Sequence, residues 1–429
     1  MKKITVALIG AGGRGTNYVR LMDKEKFNVV AVAEPVKERR ERIKKMYNIP
    51  ENMCFETYES ILQEPKLADC AVIATSDRMH YEPAMKAIEK GYDLLLEKPV
   101  APTYEECVDI ANFATEKGVK VLVCHVLRYT DFFLKIKEMI KAGDLGKIIS
   151  IHHSENVGHI HHSHSYVRGN WGNTEKSANM LLAKSCHDID ILQWLMDEKC
   201  INVHSFGSLS FFKEENAPEG APDYCNQGCP HKNECFYDAT IIYSKDNDEW
   251  YKGHALQKDN PTDEDYANLL SKTQYGKCVF KCDNDVVDHQ VVNLEFESGA
   301  VASFNMCSFN EGGRYIRIMG TKGEIYGDMK HNTLDYFDFR TGKHTLINPN
   351  ELGLDDSITN GHGGGDYGIV ETLYEYLAND FGGDMLSEIV ISISNHLIVF
   401  AAEKSRLEKK VVNMDEFCKE VGFIPVAAN

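Results

Sequence analysis

The sequence has no apolar run near the ~20 residues that a membrane-spanning helix requires, and fewer basic than acidic residues. The first absence gives no reason to expect a membrane. The second argues against a nucleic-acid backbone or an anionic bilayer as partner, since 65 acidic against 47 basic residues set the formal net charge at −18. No internal repeat is visible. The opening "MKKITVALIG" has an apolar part too short for an export signal, and it alternates as a β-strand does. Without such a signal, thirteen scattered cysteines, an odd number, are expected as reduced thiols in a cytoplasm, with a metal as one use for some of them.

What is present fits a globular chain of two domains, since 429 residues exceed the size at which one core keeps growing. "ITVALIGAGGRGTNYVRLM" runs from an apolar strand through Gly10, Gly12, Gly13, Arg14 and Gly15 into an amphipathic segment. A glycine turn between a strand and a helix lets the backbone approach a pyrophosphate, which the helix N-terminus then meets with unpaired N–H groups. The next strand, "FNVVAVAEP", ends in Glu34, placed to accept hydrogen bonds from the adenosine ribose and so to favour NAD. Arg39 and Arg40 follow closely and leave NADP open.

Strands and helices then alternate through "ADCAVIATS", "HYEPAMKAIEKG", "YDLLLEKP", "TYEECVDIANFATEKG" and "VKVLVCHVLRY". Such a pattern predicts an α/β chain with a doubly wound parallel sheet, which binds ligands beyond the carboxyl ends of its strands. Thr75, Ser76, Asp77, His80, Glu97, Lys98 and Arg128 fall at those ends and are candidate cofactor contacts.

With "VALIGAGGRG", Glu97-Lys98-Pro99, Arg128-Tyr129 and His187-x-x-Asp190, the chain resembles the Gfo/Idh/MocA oxidoreductases, nicotinamide-dependent enzymes of sugars and polyols. The resemblance implies a Rossmann domain, expected over residues 1 to 125, and a C-terminal α/β domain with an open, mostly antiparallel sheet over residues 126 to 429. It also implies a homo-oligomer, a small carbohydrate substrate, and His187 as the base that takes the substrate's hydroxyl proton. Lys98, a cation at a strand end, suits stabilisation of a developing alkoxide.

In "LLAKSCHDIDILQWLM", Lys184, His187 and Asp190 recur every three residues, which predicts one polar helical face carrying cation, base and orienting acid. Members of the family usually carry an aspartate four residues before the histidine, where this chain has Ala183, and Lys184 stands next to it. A lysine there favours neutral imidazole but relays no proton as a carboxylate would, unless it only pairs with Asp188. This departure keeps two readings: an oxidoreductase of a secondary hydroxyl, and a glycosidase or lyase that uses NAD for transient oxidation, elimination and re-reduction.

The loop "ENVGHIHHSHSYVRGNWGNTEKSAN" supplies Tyr166, Arg168, Asn170 and Trp171 as candidate sugar contacts. His289, near an alternating strand, and His362 and Asp366, on a glycine run, are further candidates for substrate or metal. Between about residues 213 and 285 the chain is polar and poorly periodic, too long for an ordinary connection. Within it Cys225, Cys229 and Cys235, with His231, Cys278 or Cys282 as a fourth ligand, suit a structural zinc. Metal-free thiols are the competing expectation.

Overall fold

The computed structural model describes residues 3–423 apart from 233, 248–249, 259, 350–361, 380 and 383–385. Two sheets organise the chain. The first has six parallel strands in the order β3-β2-β1-β4-β5-β6. These are β1 (Ile4–Ile9), β2 (Phe27–Ala33), β3 (Cys54–Phe55), β4 (Cys70–Ile73), β5 (Asp93–Leu96) and β6 (Val121–Val123). The four residues of β4 are all buried, and five of the six in β1, as expected when helices cover both faces of a parallel sheet. The two-residue β3 escapes sequence reading because it is too short to carry a period. Strand order reverses between β1 and β4, and the crevice that opens there holds the glycine turn.

The second sheet has nine strands, ordered β14-β13-β12-β11-β7-β10-β9-β8-β15. They are β7 (Ile148–Asn156), β8 (Cys200–Ser208), β9 (His289–Phe296), β10 (Val301–Cys307), β11 (Gly313–Gly320), β12 (Gly323–Asp328), β13 (Thr333–Asp338), β14 (Lys343–Ile347) and β15 (Val412–Asn413). Every neighbouring pair is antiparallel except β7 with β10. In β7, Ile151, His153 and Glu155 are buried while His152 between them is exposed. The inner face lies under the helices Cys186–Met196 and Ile389–Glu408. On the outer face Phe206, Val301, Tyr326 and Leu346 remain exposed.

Two C-terminal features depart from expectation. The helix Gly365–Ala378 returns to the first sheet, where Ile369, Val370 and Leu373 share a core with Val6, Leu8 and Val29. The amphipathic pattern around "SNHLIVFAAEKSRLEKK" predicts the last helix; it forms as Ile389–Glu408, but β15 and a short helix, Met414–Glu420, follow it.

The polar, poorly periodic segment contains the helices Ala239–Ile242, Trp250–Leu256 and Asp263–Lys272. Small aromatic cores order it: Val167, Phe212, Tyr237, Val279 and Phe280 form one, and Ala239, Ile242, Tyr243 and Leu269 another. The zinc expectation is corrected here. Among the described residues no three His, Cys, Asp or Glu side chains are grouped to hold a metal. His231 Nε2 meets the Glu219 carbonyl at 2.8 Å, and Cys225 Sγ faces the Lys277 carbonyl at 3.8 Å, so the expected site at Cys225, Cys229, Cys235 and His231 finds no support.

Candidate active site

The glycine turn ends β1 and opens the helix Gly13–Leu21. Gly10 has φ +92°, and a Cβ there would stand 2.6 Å from the Ala74 carbonyl oxygen. At Gly15 a Cβ would stand 2.1 Å from the Gly10 oxygen, so strand and helix meet only because that residue is glycine. At Gly12 and Gly13 a Cβ would meet nothing within 4 Å. An open cradle at a helix N-terminus, between two glycines required by close packing, fits a dinucleotide pyrophosphate.

Glu34 stands beside this turn, accepting hydrogen bonds from Ala11 N at 2.7 Å and Val36 N at 3.0 Å. Arg39 lies 4.0 Å from it and also donates to Gln257, just beyond the helix Trp250–Leu256.

Other expected cofactor contacts also make internal links. Arg14 turns inward, pairing with Glu97 at 2.7 Å and with Asp366 at 2.7 and 2.9 Å, and it also reaches the Tyr18 hydroxyl. Glu97 further accepts from Tyr18 at 2.8 Å and from Lys98 N at 2.8 Å. Asp366 is thereby corrected from a substrate or metal contact to a link, completed by Asn17, between a C-terminal helix and the glycine turn. His80 is buried and bridges the Pro99 and Thr75 carbonyls at 2.7 and 3.1 Å. Ser76 stays exposed at the end of β4, and Thr75 bonds the Met79 carbonyl.

The two sheets meet at Lys98. Its Nζ donates to the Ala183 carbonyl at 2.8 Å, at the close of the helix Met180–Ala183. The next helix, Cys186–Met196, begins after a break at Lys184 and Ser185. That break undoes the single polar face read from the sequence. Lys184 turns to β7, its Nζ 3.4 Å from Glu155 rather than on Asp188. Glu155 also pairs with Arg314 at 2.6 Å, and Arg314 Nε donates to Asp188 at 2.8 Å. Burial lowers the pKa of Lys184, helped by Arg314 and Lys98 and opposed by Glu155. Burial works against the Asp188 carboxylate, yet Arg314 and His153 hold its pKa well below the usual range.

His187 is buried in the first turn of its helix, its ring 5.8 Å from that of His125. Burial pushes the pKa of His125 down to about 4. Asp190, three residues further along, is fully buried. Arg128 grips it with two 2.7 Å hydrogen bonds, Asn395 adds a third at 2.6 Å, and Arg128 also donates to the Leu386 carbonyl. Both residues are therefore corrected from ligand contacts to a buried ion pair.

Beside Lys184 opens a pocket of about 430 Å³, lined by Glu155, Arg314, His161, Tyr251 and Lys330 among others. That volume suits a small organic ligand.

A family model described as "Oxidoreductase family, NAD-binding Rossmann fold" matches residues 4–125, and one described as "Oxidoreductase family, C-terminal alpha/beta domain" matches residues 137–348. The chain belongs to the Gfo/Idh/MocA oxidoreductase family. Among similar proteins, YteT of Bacillus subtilis, which carries a provisional oxidoreductase name, is 25% identical over 71% of this chain and 72% of its own. The 2,7-anhydro-N-acetylneuraminate hydratase of Escherichia coli is 27% identical over 46% of this chain, and the match spans half of that enzyme. In fold, the chain resembles levoglucosan dehydrogenase solved with NADH and levoglucosan: TM-score 0.69, 18% identity, 96% of this chain and all of that one.

The remaining expected contacts divide. Trp171 donates to Asp77 at 3.0 Å, so the loop after β7 closes on the cofactor side, and Tyr166 packs 6.1 Å from His161 of the pocket. Asn170 is exposed. Arg168 is corrected: fully enclosed, it donates to the Lys277 and Tyr237 carbonyls and braces the insert. His289 is likewise corrected, pairing with Asp288 at 2.8 Å outside the pocket lining. The His362 side chain lies outside the described residues. Sequence reading missed Glu155, Arg314 and His125. The first two come beside Lys184, Glu155 as its ion-pair partner, only when β7 and β11 pair, a contact between distant segments that carries no local signal.

Proposed function

We propose that this protein is an NAD-dependent oxidoreductase acting on a secondary hydroxyl of a sugar, polyol or glycoside. The observation that carries the reading is Lys98 on the Ala183 carbonyl, which sets one cation at the junction of the cofactor sheet and the helix turn bearing Lys184 and His187. Nicotinamide, when bound, supplies the hydride acceptor or donor. Lys98 stabilises the substrate oxygen as it gains negative charge, His187 takes its proton, and Lys184 orients a neighbouring hydroxyl. Glu34, already engaged with the turn's N–H groups, disfavours a 2′-phosphate and supports NAD over NADP. The dehydrogenase is tested by incubating the purified protein with NAD and a panel of sugars, polyols and glycosides. Net NADH formation from one of them is expected; its absence across the panel rejects this version.

A second reading is a redox-neutral glycosidase or lyase, in which a ring hydroxyl is oxidised, an adjacent C–H is acidified and lost as a proton, a substituent is eliminated, water adds across the new double bond in the glycosidase case, and the same hydride is returned. It is favoured by Lys184 with its lowered pKa beside the family's missing carboxylate at Ala183, and by the relative named as a hydratase. Release of the substituent without net NADH, with solvent deuterium entering at the acidified carbon, would support it; retention of that proton would exclude it. The uncovered outer face of the nine-stranded sheet supports a homo-oligomer, which light scattering on the purified chain tests.

A further inference from the structure

The helix Trp250–Leu256 lies in the segment between β8 and β9, and the function proposed above gives it no task. It is fastened toward the cofactor side. His254 Nδ1 lies 2.9 Å from His164 Nε2, and its ring stacks 6.1 Å from Trp171, which is bonded to Asp77. So anchored, the helix places Tyr251 in the wall of the pocket that Lys184 lines. Trp250 stands 4.4 Å from the Tyr251 ring and 5.1 Å, edge-on, from His161, and about half of it is exposed. Three aromatic rings thus converge beside a polar pocket, two of them, Tyr251 and His161, in its lining.

The polar lining is rich in donors and acceptors, yet its charges are matched. Lys184 and Arg314 face Glu155 in the lining, Arg314 also pairs with the buried Asp188 behind it, and Lys330 pairs with Glu311 at 3.1 Å. Paired charges with an aromatic wall suit a ligand that offers hydroxyls on its edge and an apolar C–H face, and carries no net charge of its own.

We infer that the insert is the specificity element of this site: Tyr251 with Trp250 and His161 receives the apolar face of an uncharged sugar ring while Lys184, Arg314 and Glu155 hold its hydroxyls. The inference rests on the carbohydrate reading above, but binding tests it without turnover. Calorimetry on the full chain with NAD present would compare a neutral methyl hexopyranoside with the matching methyl hexuronoside. The neutral sugar should bind more tightly. Tyr251→Ala and Trp250→Ala should each weaken it by about 3- to 10-fold, the size of one aromatic contact, while Tyr251→Phe keeps affinity and all three keep NAD binding. Where a substrate turns over, the loss should appear in KM more than in kcat. Equal or tighter binding of the charged sugar, unchanged affinity in both alanine variants, or binding of neither sugar would overturn the inference. If the neutral sugar binds through Tyr251 but no variant at Lys98 alters any reaction, the proposed chemistry fails and the subsite stands.

Discussion

Lys98 and Ala183, 85 positions apart, are joined by a 2.8 Å hydrogen bond from an ammonium to a main-chain carbonyl. The bond fixes the lysine at the end of β5 against the turn that carries Lys184 and His187. Replacing Lys98 with Met removes the charge and retains most of the length. Loss of one preorganised donor to a developing oxyanion lowers kcat by roughly 10²- to 10³-fold. NAD affinity should change far less, because the glycine turn and Glu34 are untouched. Single-turnover hydride transfer beside fluorescence titration of NAD separates the two effects.

Lys184 gives a pH signature whose direction is set by its surroundings. Its pKa is lowered by burial, with Arg314 and Lys98 adding to the effect, so its proton leaves at a lower pH than that of a free lysine. If a protonated Lys184 holds the substrate, kcat/KM declines on the alkaline side before an ordinary lysine would titrate. Lys184→Arg, a side chain that stays charged, moves that decline to higher pH. Glu155→Gln removes the carboxylate that opposes the lowering and moves it to lower pH. Rate profiles of the three proteins check the order; an unchanged limb would exclude Lys184 as its source.

Gly12 and Gly15 separate ligand binding from folding. A Cβ at Gly12 meets nothing within 4 Å, whereas one at Gly15 would press on the Gly10 carbonyl at 2.1 Å. Gly12→Ala should therefore keep its melting temperature and lose NAD affinity, since the methyl group fills the space where a pyrophosphate approaches. Gly15→Ala should lose both, because helix and strand must part. Thermal melts with and without NAD distinguish them.

These contrasts show where the sequence speaks and where it is silent. The glycine turn, β4, β5 and Lys98 were legible because each is a local pattern: a buried apolar run closed by a polar residue at the strand's end. The Lys184-His187-Asp190 face was misread because helical phase was carried across a break that only tertiary packing creates. Glu155 and Arg314 reach Lys184 through the pairing of β7 with β11, segments about 160 residues apart. Arg14, Arg128 and Arg168 looked like ligand contacts, since charged residues are seldom buried unless paired. Their partners, Asp366, Asp190 and two carbonyls of the insert, lie between 62 and 352 positions away.

Asp190 provides the sharpest check on those reassignments. Burial opposes its ionisation, but Arg128 holds its pKa below the ordinary range. Both groups are almost fully enclosed. Removing one partner leaves a buried charge, so Asp190→Ala should destabilise the protein by about 3–5 kcal/mol. The double variant Asp190→Ala with Arg128→Met should recover part of that loss, because no orphaned cation remains. The folded pKa is depressed, so the pair's contribution is present above the unfolded carboxylate value near 4 and fades as pH falls below it. Denaturant titrations of the single and double variants across that range measure both effects. A single variant of normal stability but lost turnover would return Asp190 to the chemistry from which the ion pair removes it.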